Sequence, residues 1–122
     1  MRVLIVESDP NLGWLWRRHL ERLGATVDLA AGQTEAVAHL SRDDFGVIVL
    51  DLVLTEGSAF AVADYCSYRR PQARVVFVTN TTFFSDGSIF QMMPNACAYL
   101  PTQTPPEDLA AVVEHYGLAV QV

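Results

Sequence analysis

The chain is predicted to fold as an α/β domain built on a doubly wound, five-stranded parallel sheet. Three observations predict it. Five short apolar runs alternate with helix-like segments along the 122 residues, which is the pattern of successive βαβ units. The central run, Val47-Ile48-Val49-Leu50, is wholly aliphatic, as in a strand covered on both faces. Hydrophobic residues make up 51% of the chain and no polar low-complexity tract interrupts them, so one core can form. Right-handed crossovers give the strand order 2-1-3-4-5 with helices on both faces.

The strands read as Arg2 to Val6, Thr26 to Ala30, Gly46 to Leu50, Arg74 to Val78 and Ala96 to Leu100. Five helices are expected between and after them. Asp9-Pro10 supplies a cap and a proline at the first helical position. Leu12, Trp16, Leu20 and Leu23 then recur at helical spacing up to Gly24, which is placed to end the helix. A short second helix is read near Thr34 to Leu40 and a third from Ser58 to Tyr68. The fourth segment, Thr81 to Pro94, is irregular, with Gly87 and Pro94 bracketing only two turns. The last helix follows Pro105-Pro106 and should end before Gly117.

Residues 1–122 are read as a single domain with no output domain. The net charge is -6 and the eight basic residues are scattered, against the basic face of a nucleic-acid binder. All eight are arginine; there is no lysine. No apolar stretch has membrane-spanning length, so no membrane partner and a cytoplasmic location are expected. Cys66 and Cys97 stand in no metal-ligand spacing and read as buried thiols.

Asp51 is the most informative residue. It closes the central strand, at the rim where open α/β sheets bind ligands. A bare carboxylate is costly to bury, so it should reach solvent, a cation or a covalent partner.

Four stretches in order resemble the receiver domains of response regulators in two-component signalling. They are Leu4-Ile5-Val6-Glu7-Ser8-Asp9-Pro10, Val49-Leu50-Asp51-Leu52-Val53-Leu54-Thr55-Glu56-Gly57, Phe77-Val78-Thr79-Asn80 and Ala98-Tyr99-Leu100-Pro101-Thr102-Gln103. The resemblance implies a flavodoxin-like fold over essentially the whole chain. It implies a phosphoacceptor at Asp51 and a Mg²⁺ site at Glu7, Ser8, Asp51 and the Val53 carbonyl. Thr79 and Tyr99 take the family's switch positions. A histidine kinase or phosphotransfer protein is the implied donor, a downstream protein the implied target. The implied activity is not enzymatic beyond self-phosphorylation and dephosphorylation at Asp51.

Two departures qualify the resemblance. Ser8 stands where the family has a carboxylate that binds the metal directly, so Mg²⁺ is expected to bind weakly. Thr102 stands where the family has a lysine, so the acyl phosphate lacks a charge-assisted partner. The expected function is therefore a stand-alone receiver that accepts phosphate weakly or atypically and signals by protein contact. The alternative is a phosphorylation-independent pseudo-receiver adaptor. Phe83, Phe84, Phe90 and Met93 are the interface candidates, with a homodimer as the expected form.

Overall fold

The computed structural model describes residues 1–80 and 93–119. Nine elements follow one another in the order β1 (Arg2–Val6), α1 (Pro10–Arg22), β2 (Thr26–Ala30), α2 (Gln33–Arg42), β3 (Val47–Asp51), α3 (Ala59–Arg69), β4 (Arg74–Thr79), β5 (Ala96–Pro101) and α4 (Pro106–Ala119). The five strands form one parallel sheet in the order β2-β1-β3-β4-β5. The described residues hold four helices; the irregular segment expected between Thr81 and Pro94 falls almost wholly outside them.

Each face of the sheet carries its own helix pair. One core joins Leu4, Val6, Ile48, Leu50, Val75 and Phe77 of the strands to Ala36 and Leu40 of α2 and Val62, Ala63 and Cys66 of α3. The other joins Val3, Ile5, Val47, Val49, Val76 and Val78 to Trp16 and Leu20 of α1 and Leu109, Ala110 and Val113 of α4. Alternate residues of one strand thus enter opposite cores. All five β3 side chains are buried, as its aliphatic run predicts.

Asp9 is the N-cap of α1 and accepts a bond from the Asn11 amide at 2.9 Å, with Pro10 opening the helix. That cap occupies Asp9 outside the acceptor site. Trp16 is fully buried, as the helical spacing predicts, and Trp14 is about half exposed.

Two helices depart from expectation. Helix α2 spans ten residues, longer than expected, because its first turn is capped from outside by Glu56: the Thr34 amide donates to Glu56 Oε1 at 2.9 Å. Helix α4 runs through Gly117 to Ala119. A Cβ at Gly117 would meet the flexible Met1 side chain, and the helix continues past this residue. Met93, one of the interface candidates, is 7% exposed and lies in the core with α2 and α3. Phe83, Phe84 and Phe90 lie outside the described residues.

Candidate functional site

The site is assembled by strand register at the carboxyl ends of the sheet. Val6 pairs with Leu50, so the next residues along β1 and β3, Glu7 and Asp51, adjoin. Asp51 pairs with Val78, which sets Thr79 one step further along β4. Thr79 pairs with Pro101, and the Thr102 amide donates to the Thr79 carbonyl at 2.9 Å. Glu7, Asp51, Thr79 and Thr102 therefore stand in a row across four strand ends. Glu7 and Asp51 are 8% and 9% exposed, and Thr79 is buried more deeply.

The two carboxyl groups cannot both sit comfortably as anions. Glu7 Oε2 accepts from the Asp9 amide at 3.0 Å, but Oε1 is buried with no donor facing it. Burial, then the hydrogen bond and charge of Asp51, push the Glu7 carboxyl up from 4.5 to about 8. The shift favours the protonated form of Glu7, in which the carboxyl can donate a hydrogen bond as well as accept one. Asp51 Oδ1 accepts from the Val53 amide at 2.8 Å, so the loop after β3 turns back onto its own carboxylate. A groove of about 480 Å³ opens beside Glu7, with Pro10, Trp14 and Glu35 among its walls.

No cluster of three or more His, Cys, Asp or Glu converges among the described residues. The Glu7–Asp51 pair nevertheless fits one hard cation, because a cation can take the place of the shared proton and supply the charge that Glu7 Oε1 lacks. Glu7, Asp51 and the Val53 carbonyl would hold it, and waters would complete its shell. Ser8 faces elsewhere: its hydroxyl donates to the Ala31 carbonyl at 2.7 Å and accepts from the Thr55 amide at 3.0 Å.

Glu56 is a residue that sequence reasoning missed. Its carbonyl accepts from the Gln33 amide at 3.1 Å, and its carboxylate accepts from the Thr34 amide and hydroxyl at 2.9 and 3.1 Å. Gln33 returns a bond, accepting from the Ser58 amide at 2.8 Å. The segment after Asp51 is thereby clamped to the start of α2. Gly57 sits in that clamp at φ +78°, where a Cβ would meet Gln33, so both conformation and space call for glycine.

Tyr99 lies on β5, half-buried against the core that contains Phe77. Cys66 is buried, and burial raises its thiol to about 11. Cys97 is half-buried and raised to about 11 for the same reason. Thiols held that far up carry little thiolate at neutral pH.

The parallel sheet of this order carries a buried glutamate, Glu7, beside the strand-end Asp51. The family model for the response regulator receiver domain matches residues 3–114, and the chain belongs to that family. Over 79 residues it is 33% identical to the transcriptional regulatory protein TcrA of Mycobacterium tuberculosis, covering 65% of this chain and 31% of that protein. The chain thus spans about a third of the length of that relative. A CheY-like receiver domain protein from Methanospirillum hungatei JF-1 superposes with a TM-score of 0.88 at 23% identity, over 98% of this chain and 95% of that one. A Burkholderia pseudomallei response regulator, solved with a phosphorylated aspartic acid, a calcium ion and citrate, superposes at 0.79 with 24% identity, over 98% and 70%. Receiver domains generally are not enzymes, and their partners are histidine kinases or phosphotransfer proteins and downstream effectors.

Proposed function

We propose that Asp51 accepts a phosphoryl group, and that this acceptance is weak because its charge partners are incomplete. The observation that carries the reading is the placement of Asp51 beside Glu7 and the Val53 amide at the carboxyl end of the sheet. With Oδ1 engaged by that amide, Oδ2 is the oxygen that attacks phosphorus. The new O–P bond forms as the N–P bond of a phosphohistidine breaks, and the electron pair leaves on the imidazole nitrogen. Such a transfer needs positioning and charge compensation more than covalent chemistry. A bound Mg²⁺ supplies positive charge to the phosphoryl oxygens. The chain's own contribution is to hold Asp51 with Val53, to give up the Glu7 proton, and to offer the Thr79 hydroxyl. Incubation with acetyl phosphate and Mg²⁺ should add one labile phosphoryl group by intact mass, and Asp51→Asn should abolish it. No gain in the unmodified protein sinks the reading.

The second reading is a phosphorylation-independent adaptor. What favours it is that the Ser8 hydroxyl, at the position where the family has a carboxylate, is committed to the backbone. The same acetyl phosphate experiment separates the two.

In both readings the signal passes by protein contact in the cytoplasm; among the described residues no helix is long and apolar enough to cross a membrane. An apolar groove of about 370 Å³ runs between β5 and α4, lined by Ala98, Leu100, Val112 and Tyr116, and supports a contact at this edge of the sheet. A homodimer through the segment that carries Phe84 and Phe90 and the neighbouring Tyr99 strand is the form we favour. Sedimentation of the unphosphorylated protein should show self-association at tens of micromolar that Phe84→Asp or Phe90→Asp weakens about tenfold or more, the loss expected when one anchoring aromatic is removed. A strict monomer removes the homodimer.

A further inference from the structure

The geometry points to Ser8 as a positioning residue that braces the acceptor loop, in place of the cation ligand its position suggests. The inference rests on the reading of Asp51 and the Val53 carbonyl as the acceptor and cation site. Ser8 lies one residue beyond Glu7, yet its hydroxyl spans two backbone groups of other loops. It donates to the Ala31 carbonyl at 2.7 Å and accepts from the Thr55 amide at 3.0 Å. One side chain thereby joins the β1–α1, β2–α2 and β3–α3 loops.

The brace does not act alone. At the next residue along the acceptor loop, Glu56 is held by the Gln33 amide and by both donors of Thr34, and the Ser58 amide is held by Gln33 Oε1. The loop between Asp51 and α3 is therefore fixed at Val53 by Asp51 itself, at Thr55 by Ser8, and at Glu56 and Ser58 by the start of α2. The two segments are drawn so close that a Cβ at Gly32 would lie 2.9 Å from the Glu56 carbonyl oxygen.

A carboxylate at position 8 could accept from Thr55 but has no proton for Ala31, so the bridge needs a hydroxyl. Serine here trades a cation ligand for a fixed loop. A fixed loop presents the Val53 carbonyl and the Asp51 carboxylate in one geometry, with no ordering cost when a cation or phosphoryl group arrives.

The test compares Ser8→Ala, Ser8→Thr and Thr34→Val in the full chain, first without metal and then with Mg²⁺. In metal-free Ser8→Ala, the Thr55 amide should exchange with solvent about tenfold faster, the change expected from one lost hydrogen bond. The amide of Val49, deep in β3, should keep its rate and report that the fold is intact. The Mg²⁺ dissociation constant, read from the Val53 amide shift, should rise by about threefold to tenfold over the same range of energy. Ser8→Thr keeps the hydroxyl and should restore both values. Thr34→Val loosens the loop from its far side without approaching the cation site, and should also weaken Mg²⁺.

Two results would overturn the inference. Weaker Mg²⁺ binding in Ser8→Ala with Thr55 exchange unchanged makes Ser8 a ligand. Faster exchange with Mg²⁺ binding unchanged makes it a structural tie with no bearing on the site. Failure of acetyl phosphate to label Asp51 would overturn the acceptor reading alone, since neither measurement depends on phosphorylation.

Discussion

Replacing Glu7 by glutamine should stabilise the protein at alkaline pH and remove much of its loss of stability between pH 5 and 9. The Glu7 carboxyl is raised from 4.5 to about 8 in the folded chain, chiefly by burial and then by Asp51. Between those two values the folded state holds a proton that the unfolded state has lost. Linkage fixes the sign: stability from this group is fully present below pH 4.5 and is lost as pH rises through 8. The slope is at most about 1.4 kcal/mol per pH unit for one proton, and the whole loss is on the order of a few kcal/mol. Glutamine keeps the shape. Its amide oxygen can accept from the Asp9 amide, as Glu7 Oε2 does at 3.0 Å, and its NH₂ can donate to Asp51 at any pH. The variant should therefore exceed the unmodified protein by roughly 1–3 kcal/mol at pH 9, and by little at pH 5. Urea unfolding of both proteins across that range gives the difference curve, in which other titrating groups cancel. A flat difference would show that Glu7 is not the acid that shares a proton with Asp51. Mg²⁺ should compete with the same proton, so its affinity for the unmodified protein should rise with pH.

The sheet was legible because its signals are local. Apolar runs bounded by polar residues placed every strand to within one residue, and Asp9-Pro10 placed the start of α1. Helix α2 was read short because its cap comes from Glu56, 22 residues away from Thr34; its own N-cap, Gly32, offers no side chain. Gly117 read as a helix end because glycine usually is one, and nothing nearby in sequence announces the approach of Met1. The same divide runs through the site. Asp51 is named from its strand end, and Glu7 and Thr79 from the resemblance to receiver domains; strand register then sets the three side by side. The direction of the Ser8 hydroxyl could not, since it depends on Ala31 and Thr55, which the fold brings together from two other loops. Nor could the Glu7 proton, which depends on how deeply the acid pair is buried. Gly32 and Gly57 were visible as glycines, but their pairing across the Glu56 clamp is a tertiary fact.

Introducing a lysine at position 102 should raise the stability of phosphorylated Asp51 by roughly one to two powers of ten. The position is set by backbone: the Thr102 amide donates to the Thr79 carbonyl at 2.9 Å, directly after the β5 residue that pairs with Thr79. Asp51 closes β3, the strand on the other side of β4. A flexible four-carbon stem from residue 102 can carry an ammonium toward the phosphoryl oxygens. A hydrogen bond to a charged group contributes about 1.5–3 kcal/mol, and about 1.4 kcal/mol is one decade. The decisive control is Thr102→Met, which adds comparable length without charge. The half-life of the acyl phosphate, followed by intact mass after removal of acetyl phosphate, should lengthen in the lysine variant and not in the methionine variant. Equal half-lives would show that the missing cation does not limit this receiver. The unphosphorylated protein offers a second measure of the same charge. An ammonium near the acid pair favours the ionised form of Glu7, so its titration should move down from about 8. The alkaline loss of stability that glutamine removes at position 7 should then shrink in the lysine variant as well. Both substitutions relieve one deficit, a buried pair of acids with a single proton between them.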